Sequence, residues 1–177
     1  TEHGEPKPHP HYGNQLQVFD VLVKDKNHIR SGEGDLYVDW QKVNVSLADG
    51  TIVELREPKI RVENLNFGPL GDDVMTSLRN APPIFGLGYF QAVSDKDILA
   101  MVEAQKAMNL NGRVNHVRDD IHRKTTIGRF GWKANQPGVR QQIAAAFHGD
   151  MGVTSSVYPY QNCPPAQQAC KKMIPGD

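Results

Sequence analysis

Between residues 16 and 65 the chain alternates short apolar runs with polar ones. The runs "LQVFDVLV", "DLYVDWQKVNVSL", "TIVELREP" and "KIRVENL" are rich in Val, Ile, Leu, Tyr and Trp. A partial two-residue period puts successive side chains on opposite faces of a strand, so these runs predict a small antiparallel sheet. Asp49-Gly50 falls between two of them. Both residue types tolerate a positive φ, which marks a tight hairpin turn. Pro58 has no N–H to donate and so ends a strand or marks a sheet edge.

After "NFGPLGDD" the period lengthens. Val74, Ser77 and Leu78 suggest a short helix, and "RNAPPIFGLGYF", broken by Pro and Gly, an irregular and buried path. Ser94 with Asp97 three residues on forms a capping pair. The helix it starts would carry Ile98, Met101, Val102 and Gln105 along its inner edge and end before Asn111-Gly112. The polar stretch "NGRVNHVRDDIHRKTT" reads as a surface loop or a short helix. Pro137 near a start and Gly149 past an end frame a further helix, with Val139, Ile143, Ala146 and Phe147 on one face. His148 then lies at or near its last residue, where a basic side chain complements the helix dipole. A short final helix is expected on "PPAQQACKK". The organisation that follows is an extended entry segment over 1–15, an antiparallel β region over 16–66 and a mainly helical region over 67–177. The fold class is α+β.

The chain has 177 residues, enough for one domain with a core of its own. It is 38% apolar, and no apolar run approaches the roughly 18 residues that span a membrane. Twenty Lys and Arg balance twenty Asp and Glu. Net charge therefore gives no sign of nucleic acid or an anionic surface as partner. The first residue is Thr1 and no signal peptide is present, which reads as a processed or excised product.

Common catalytic signatures are missing: there is no G-x-S-x-G, H-E-x-x-H, P-loop or dinucleotide fingerprint. "GLG" at 86–88 lacks the strand-turn-helix setting that phosphate binding needs. His3, His9 and His11 could clasp a metal together, but they lie in a segment without a scaffold. Cys163 and Cys170, inside "YPYQNCPPAQQACKKM", miss the C-x-x-C spacing, and no C-x-x-C-H occurs anywhere. In an oxidising compartment they would close a local disulfide; the other reading is two separate thiols.

Four blocks add more: "HYGNQLQ", "LRNAPPIFGLGYFQAVSDKDILA", "GRFGWKANQPGVRQQIAAAFHGDMGVTS" and "CPPAQQAC". In this order, and over nearly the whole chain, they resemble the di-haem cytochrome c-type oxidoreductases of peroxidase type, also called thiol oxidoreductases. The resemblance implies a periplasmic enzyme with a cytochrome c peroxidase-like helical region and long irregular loops. It further implies two c-type haems, electrons supplied by a small redox protein and a calcium ion between the haems. By position in "RNAPPIFG", Asn80 would be a calcium ligand. His148, or Asp150 beside it, would assist proton transfer as peroxide is reduced, and Met151 would face haem. Trp132 could relay an electron, while Arg129 and Arg79 could pair with haem propionates. Each residue also has a plain structural reading: a helix-end histidine, a packed methionine, a packing tryptophan, capping arginines and a loop asparagine.

Family members attach their haems through two C-x-x-C-H motifs, and this chain has none. It corresponds to the segment between them, so it reads as part of a longer enzyme, with no covalent haem of its own. Truncation would then expose an apolar face carrying Phe147, Met151 and Trp132, open to a second copy. The competing class is a haem-free structural or binding module.

Overall fold

A computed structural model describes residues 7–18, 32–81 and 83–172. In chain order the elements are β1 (Asp35–Ser46), β2 (Ile52–Glu63), α1 (Leu87–Ala92), α2 (Asp95–Ala107), β3 (His116–Asp119), β4 (Lys124–Ile127), α3 (Val139–Met151) and α4 (Gln168–Lys171). The architecture is α+β: two separate two-stranded antiparallel sheets and four helices among the described residues. The chain forms two compact units. One is Thr1–Ala81 with Cys163–Lys171; the other is Pro82–Asn162 with Lys172–Asp177.

The first unit is dominated by the β1–β2 hairpin, paired in register from Asp35↔Glu63 to Ser46↔Ile52. Its turn is the expected Asp49-Gly50: Gly50 has φ 85°, and the Asp49 carboxylate accepts from the Thr51 amide at 2.9 Å. The predicted runs "TIVELREP" and "KIRVENL" are one continuous strand. Pro58 lies inside it opposite Trp40; in a two-stranded sheet every second residue of a strand turns its N–H to an open edge, where a missing N–H does no harm. Of "LQVFDVLV", residues 16–18 form no strand, and 19–23 lie outside the described residues.

The register shows a change of face along the hairpin. Near its base, Leu36, Val38, Trp40, Pro58, Ile60 and Val62 share one face. Toward the tip, Val43, Val45, Val53 and Leu55 share the other. Most opposite positions are charged or polar, with Arg61 beside Asp39 at 3.1 Å and Lys42 beside Glu54 at 2.9 Å; Tyr37 and Ile52 are the exceptions. Trp40 and Leu55 stay exposed at 55% and 51%, so neither apolar patch is covered.

The unit's buried centre lies where three segments meet. The Tyr12 hydroxyl donates to the Gly68 carbonyl at 2.5 Å and accepts from the Phe67 amide at 3.0 Å, and its ring meets Phe67 edge to face. His9 Nδ1 accepts from the His11 and Tyr12 amides, which leaves Nε2 to donate to the Leu70 carbonyl at 3.0 Å. These bonds hold His9 as a folding element of the loop; His3 lies outside the described residues. Cys163 and Cys170 form a disulfide with Cα atoms 5.7 Å apart, and α4 falls within "PPAQQACKK" as expected.

In the second unit, α2 starts as predicted. Ser94 Oγ accepts from the Asp97 amide at 3.2 Å and donates to its carboxylate at 2.7 Å. Ile98, Val102 and Gln105 are half-buried, whereas Met101 is exposed. Four expectations need correction. No helix forms around Val74–Leu78. So short a stretch gains little for the backbone it must fix, and Pro82-Pro83 bias the chain that follows away from helix. The path through Ile84 and Phe85 is exposed rather than buried, because among the described residues no element of its own unit covers it. The polar stretch around residues 116–127 is the β3–β4 hairpin, with Val117, Asp119 and Ile127 turned inward. An inward carboxylate disguised the alternation. Finally, α3 runs on through Gly149. Glycine weakens a helix interior by about 1 kcal/mol without stopping it. The left-handed stop is Gly152 at φ 68°, whose amide and that of Val153 reach the Phe147 carbonyl.

Candidate functional site

Three functional candidates of the second unit, His148, Asp150 and Met151, lie on α3. Gln141 on its first turns is buried and ties it to the β3–β4 turn: Nε2 donates to the Arg118 carbonyl at 3.1 Å, and Oε1 accepts from the Asp120 amide at 2.8 Å. Further along, the His148 ring stacks on Tyr158 at 5.2 Å, and its Nε2 lies 2.7 Å from the Tyr160 carbonyl. A carbonyl only accepts, so Nε2 carries the proton and Nδ1 keeps the lone pair. Burial raises the Tyr158 hydroxyl pKa above its ordinary value, and the charge of Asp120 adds to the effect.

The β3–β4 turn holds a second histidine. Asp119 is buried; its Oδ1 accepts from the His122 amide at 2.9 Å and its Oδ2 lies 2.7 Å from His122 Nδ1. Burial alone would raise the Asp119 pKa. The bonds from the His122 amide and ring outweigh it and hold the carboxyl below its ordinary value. With Nδ1 turned to Asp119, Nε2 is the ring nitrogen left on the exposed side of the imidazole. His122 borders a cleft of about 570 Å³ lined also by Gln91, Ile121, Pro137, Val139 and Ile143. Sequence reasoning passed over this pair. The spacing D-x-x-H at 119–122 was its only signal, and that spacing means nothing until a turn folds the ring back onto the carboxylate.

The sequence-predicted residues occupy varied settings. His148, Asp150 and Met151 share the last turn of α3; His148 is half-buried, Asp150 is exposed, and Met151 is 59% exposed. Trp132, 45% exposed, sits in the tight turn after Gly131. Phe147, on the same helix as Met151, is 47% exposed. The Arg129 guanidinium spans the end of α1 and the start of α2, donating to the Val93 carbonyl and pairing with Asp95. Arg79 and Asn80 lie in an exposed loop of the first unit.

Covalent haem attachment does not fit these residues. There is no C-x-x-C-H, and both cysteines are consumed by the disulfide. Among the described residues no group of three or more His, Cys, Asp or Glu side chains could hold a metal ion. Nor, among them, is any helix long and apolar enough to cross a membrane. The model of the family described as "Di-haem oxidoreductase, putative peroxidase" matches residues 1–166. No curated protein and no solved structure matches the chain.

Proposed function

The chain belongs to the di-haem oxidoreductase family, and on that premise we propose that it is the stretch between the two haem-attachment motifs of a periplasmic, peroxidase-type enzyme. One observation carries the reading: the family match extends over residues 1–166 of a chain that contains no C-x-x-C-H. The haems, bound by flanking segments, supply the redox chemistry. This chain supplies protein around them, as the helical, cytochrome c peroxidase-like part of the enzyme, with electrons arriving from a small redox protein.

The exposed apolar side chains of the second unit support such a role. Trp132, Phe147 and Met151 lie open, and so do Phe85, Tyr89 and Phe90 at 89%, 84% and 61%. Apolar exposure on this scale marks a surface that meets something else. In this reading Trp132 and Met151 face haem, and the same surface can meet a second copy in the isolated chain. His148 or Asp150 handles the proton. The Nδ1 lone pair of His148 is suited to accept one, because the Tyr160 carbonyl fixes the tautomer. Arg129 and Arg79 are the propionate partners, although Arg129 must share its guanidinium with Val93 and Asp95. Asn80 would contribute one oxygen to a calcium ion completed by groups outside this chain.

The purified 177-residue chain should be colourless. A Soret band that survives acid-acetone extraction would show covalent haem here and overturn the reading. So would an encoding gene without C-x-x-C-H codons on both sides, which would leave a haem-free binding module. In the enzyme that carries both motifs, His148→Ala should change the haem spectrum or slow peroxide reduction while the fold survives. An unchanged spectrum and rate would remove His148 from the site.

A further inference from the structure

The Cys163–Cys170 disulfide encloses Gln167, and Gln167 is buried. Its Nε2 donates to the His11 carbonyl at 2.7 Å and also to the Glu33 carboxylate. The other oxygen of that carboxylate accepts from the Gln17 amide at 2.8 Å, and the Glu33 amide returns a bond to the Gln17 carbonyl at 2.6 Å. Within the same loop the Ala166 amide donates to the Pro10 carbonyl at 3.2 Å. Residues 10–17 are thus tied on one side to the disulfide loop and on the other to a buried carboxylate that the loop itself bonds.

Glu33 is 7% exposed, and a buried carboxylate is costly unless its oxygens are bonded. Where Gln167 stands therefore decides whether the carboxylate keeps a bond to Oε1, while Oε2 is bonded by the Gln17 amide. Within the loop every bond is short-range: the Gln167 amide donates to the Pro164 carbonyl, the Gln168 amide to Ala166, and the Gln168 Nε2 and Lys171 Nζ groups to Pro165. α4 spans four residues, below the length at which a helix sustains itself. The cross-link fixes the two ends of the loop.

We propose that this disulfide is a redox latch: oxidised, it holds Gln167 where it bridges the His11 carbonyl and the Glu33 carboxylate; reduced, it lets Gln167 leave, and the pairing of Gln17 with Glu33 loosens. The opening agent is a dithiol. One of its thiolates attacks a cysteine sulfur and breaks the S–S bond, and its second displaces the mixed disulfide. Two electrons and two protons end on Cys163 and Cys170 as thiols, and the dithiol leaves as a disulfide. Tyr12 remains docked throughout, because its bonds go to Gly68 and Phe67 and not to the loop.

Amide hydrogen exchange on the whole chain, oxidised and after dithiol treatment, reads this directly. The Gln17 and Ala166 amides should exchange on the order of tenfold faster after reduction, while the Phe67 amide, which reports on Tyr12, stays protected. Gln167→Ala, with the disulfide intact, should speed Gln17 in the same way. Unchanged exchange at Gln17 on reduction overturns the latch, as does continued protection of Gln17 in the Gln167→Ala variant. If Phe67 loses protection together with Gln17, the disulfide is a staple of the whole unit, and the latch is equally overturned. Haem plays no part in any of these outcomes.

Discussion

Protonation of Asp119 removes the acceptor that folds His122 back. The carboxylate collects the His122 amide and ring nitrogen, and its pKa lies below the ordinary value of 3.8. A depressed folded pKa means that the unfolded chain binds the proton first as the medium acidifies. The stabilisation is therefore complete above about pH 4 to 5 and drains away as pH falls through the lower folded value. Asp119→Asn should cost about 1.5–3 kcal/mol at neutral pH, the range for a bond to a charged group. It should also flatten the acid limb of the stability curve. Urea denaturation across that pH range checks both; an acid limb identical in the variant would show that Asp119 does not carry it. At the same scale His148 illustrates how a residue type understates its situation. The sequence marks an imidazole near a helix end, and the fold commits one of its nitrogens to the Tyr160 carbonyl and its ring to Tyr158.

Among the elements, α2 is the one whose local code is most complete. Ser94 satisfies an amide that the helix leaves without a partner, and Asp95 and Asp97 place negative charge in the first turn. Ser94→Ala should cost about 1 kcal/mol, with the helical circular dichroism signal melting at lower urea, and Ser94→Asp should restore most of it. A variant as stable as the parent would mean that α2 is held by its packing and not by its cap. The β1–β2 hairpin is equally well coded, with a turn that suits Asp-Gly and residues that favour strands. Yet its apolar residues change face between Trp40 and Val43. A two-stranded sheet is marginal in water without cover, and this one offers an uncovered apolar patch on each face.

Across the whole molecule the burial pattern is the decisive property. Among the described residues the buried apolar side chains are Tyr12, Val117, Ile127 and Phe130, and none of them is fully sealed from solvent. A chain of this length is expected to close a larger core on its own. Under the proposed function, Trp40 of the first unit and Phe85, Tyr89 and Phe147 of the second are the kind of uncovered side chains that haem-bearing segments would cover. The isolated chain should accordingly enhance the fluorescence of an apolar dye, with the enhancement falling severalfold per chain in the enzyme that carries both attachment motifs. Equal enhancement in the two would show that those segments do not cover these side chains.

The sequence by itself determined the features whose cause is local: the Asp49-Gly50 turn, the strands on either side of it, the Ser94 cap and the two-cysteine loop near the end. Each depends on residues close together in the chain, so propensity and spacing suffice. The four motif blocks likewise carried the family resemblance without coordinates. The tertiary structure alone decided what depends on distant partners. Asp119 turns inward because His122 folds back onto it and Gln141 holds its two chain neighbours, which converts an apparent polar loop into a hairpin. α3 passes Gly149 because Gly152 supplies the left-handed stop. Ile84 and Phe85, apolar and flanked by proline and glycine, read as core and stand in solvent, since hydrophobicity specifies only that a residue favours cover. Whether its own unit provides that cover is fixed by where the rest of the chain goes.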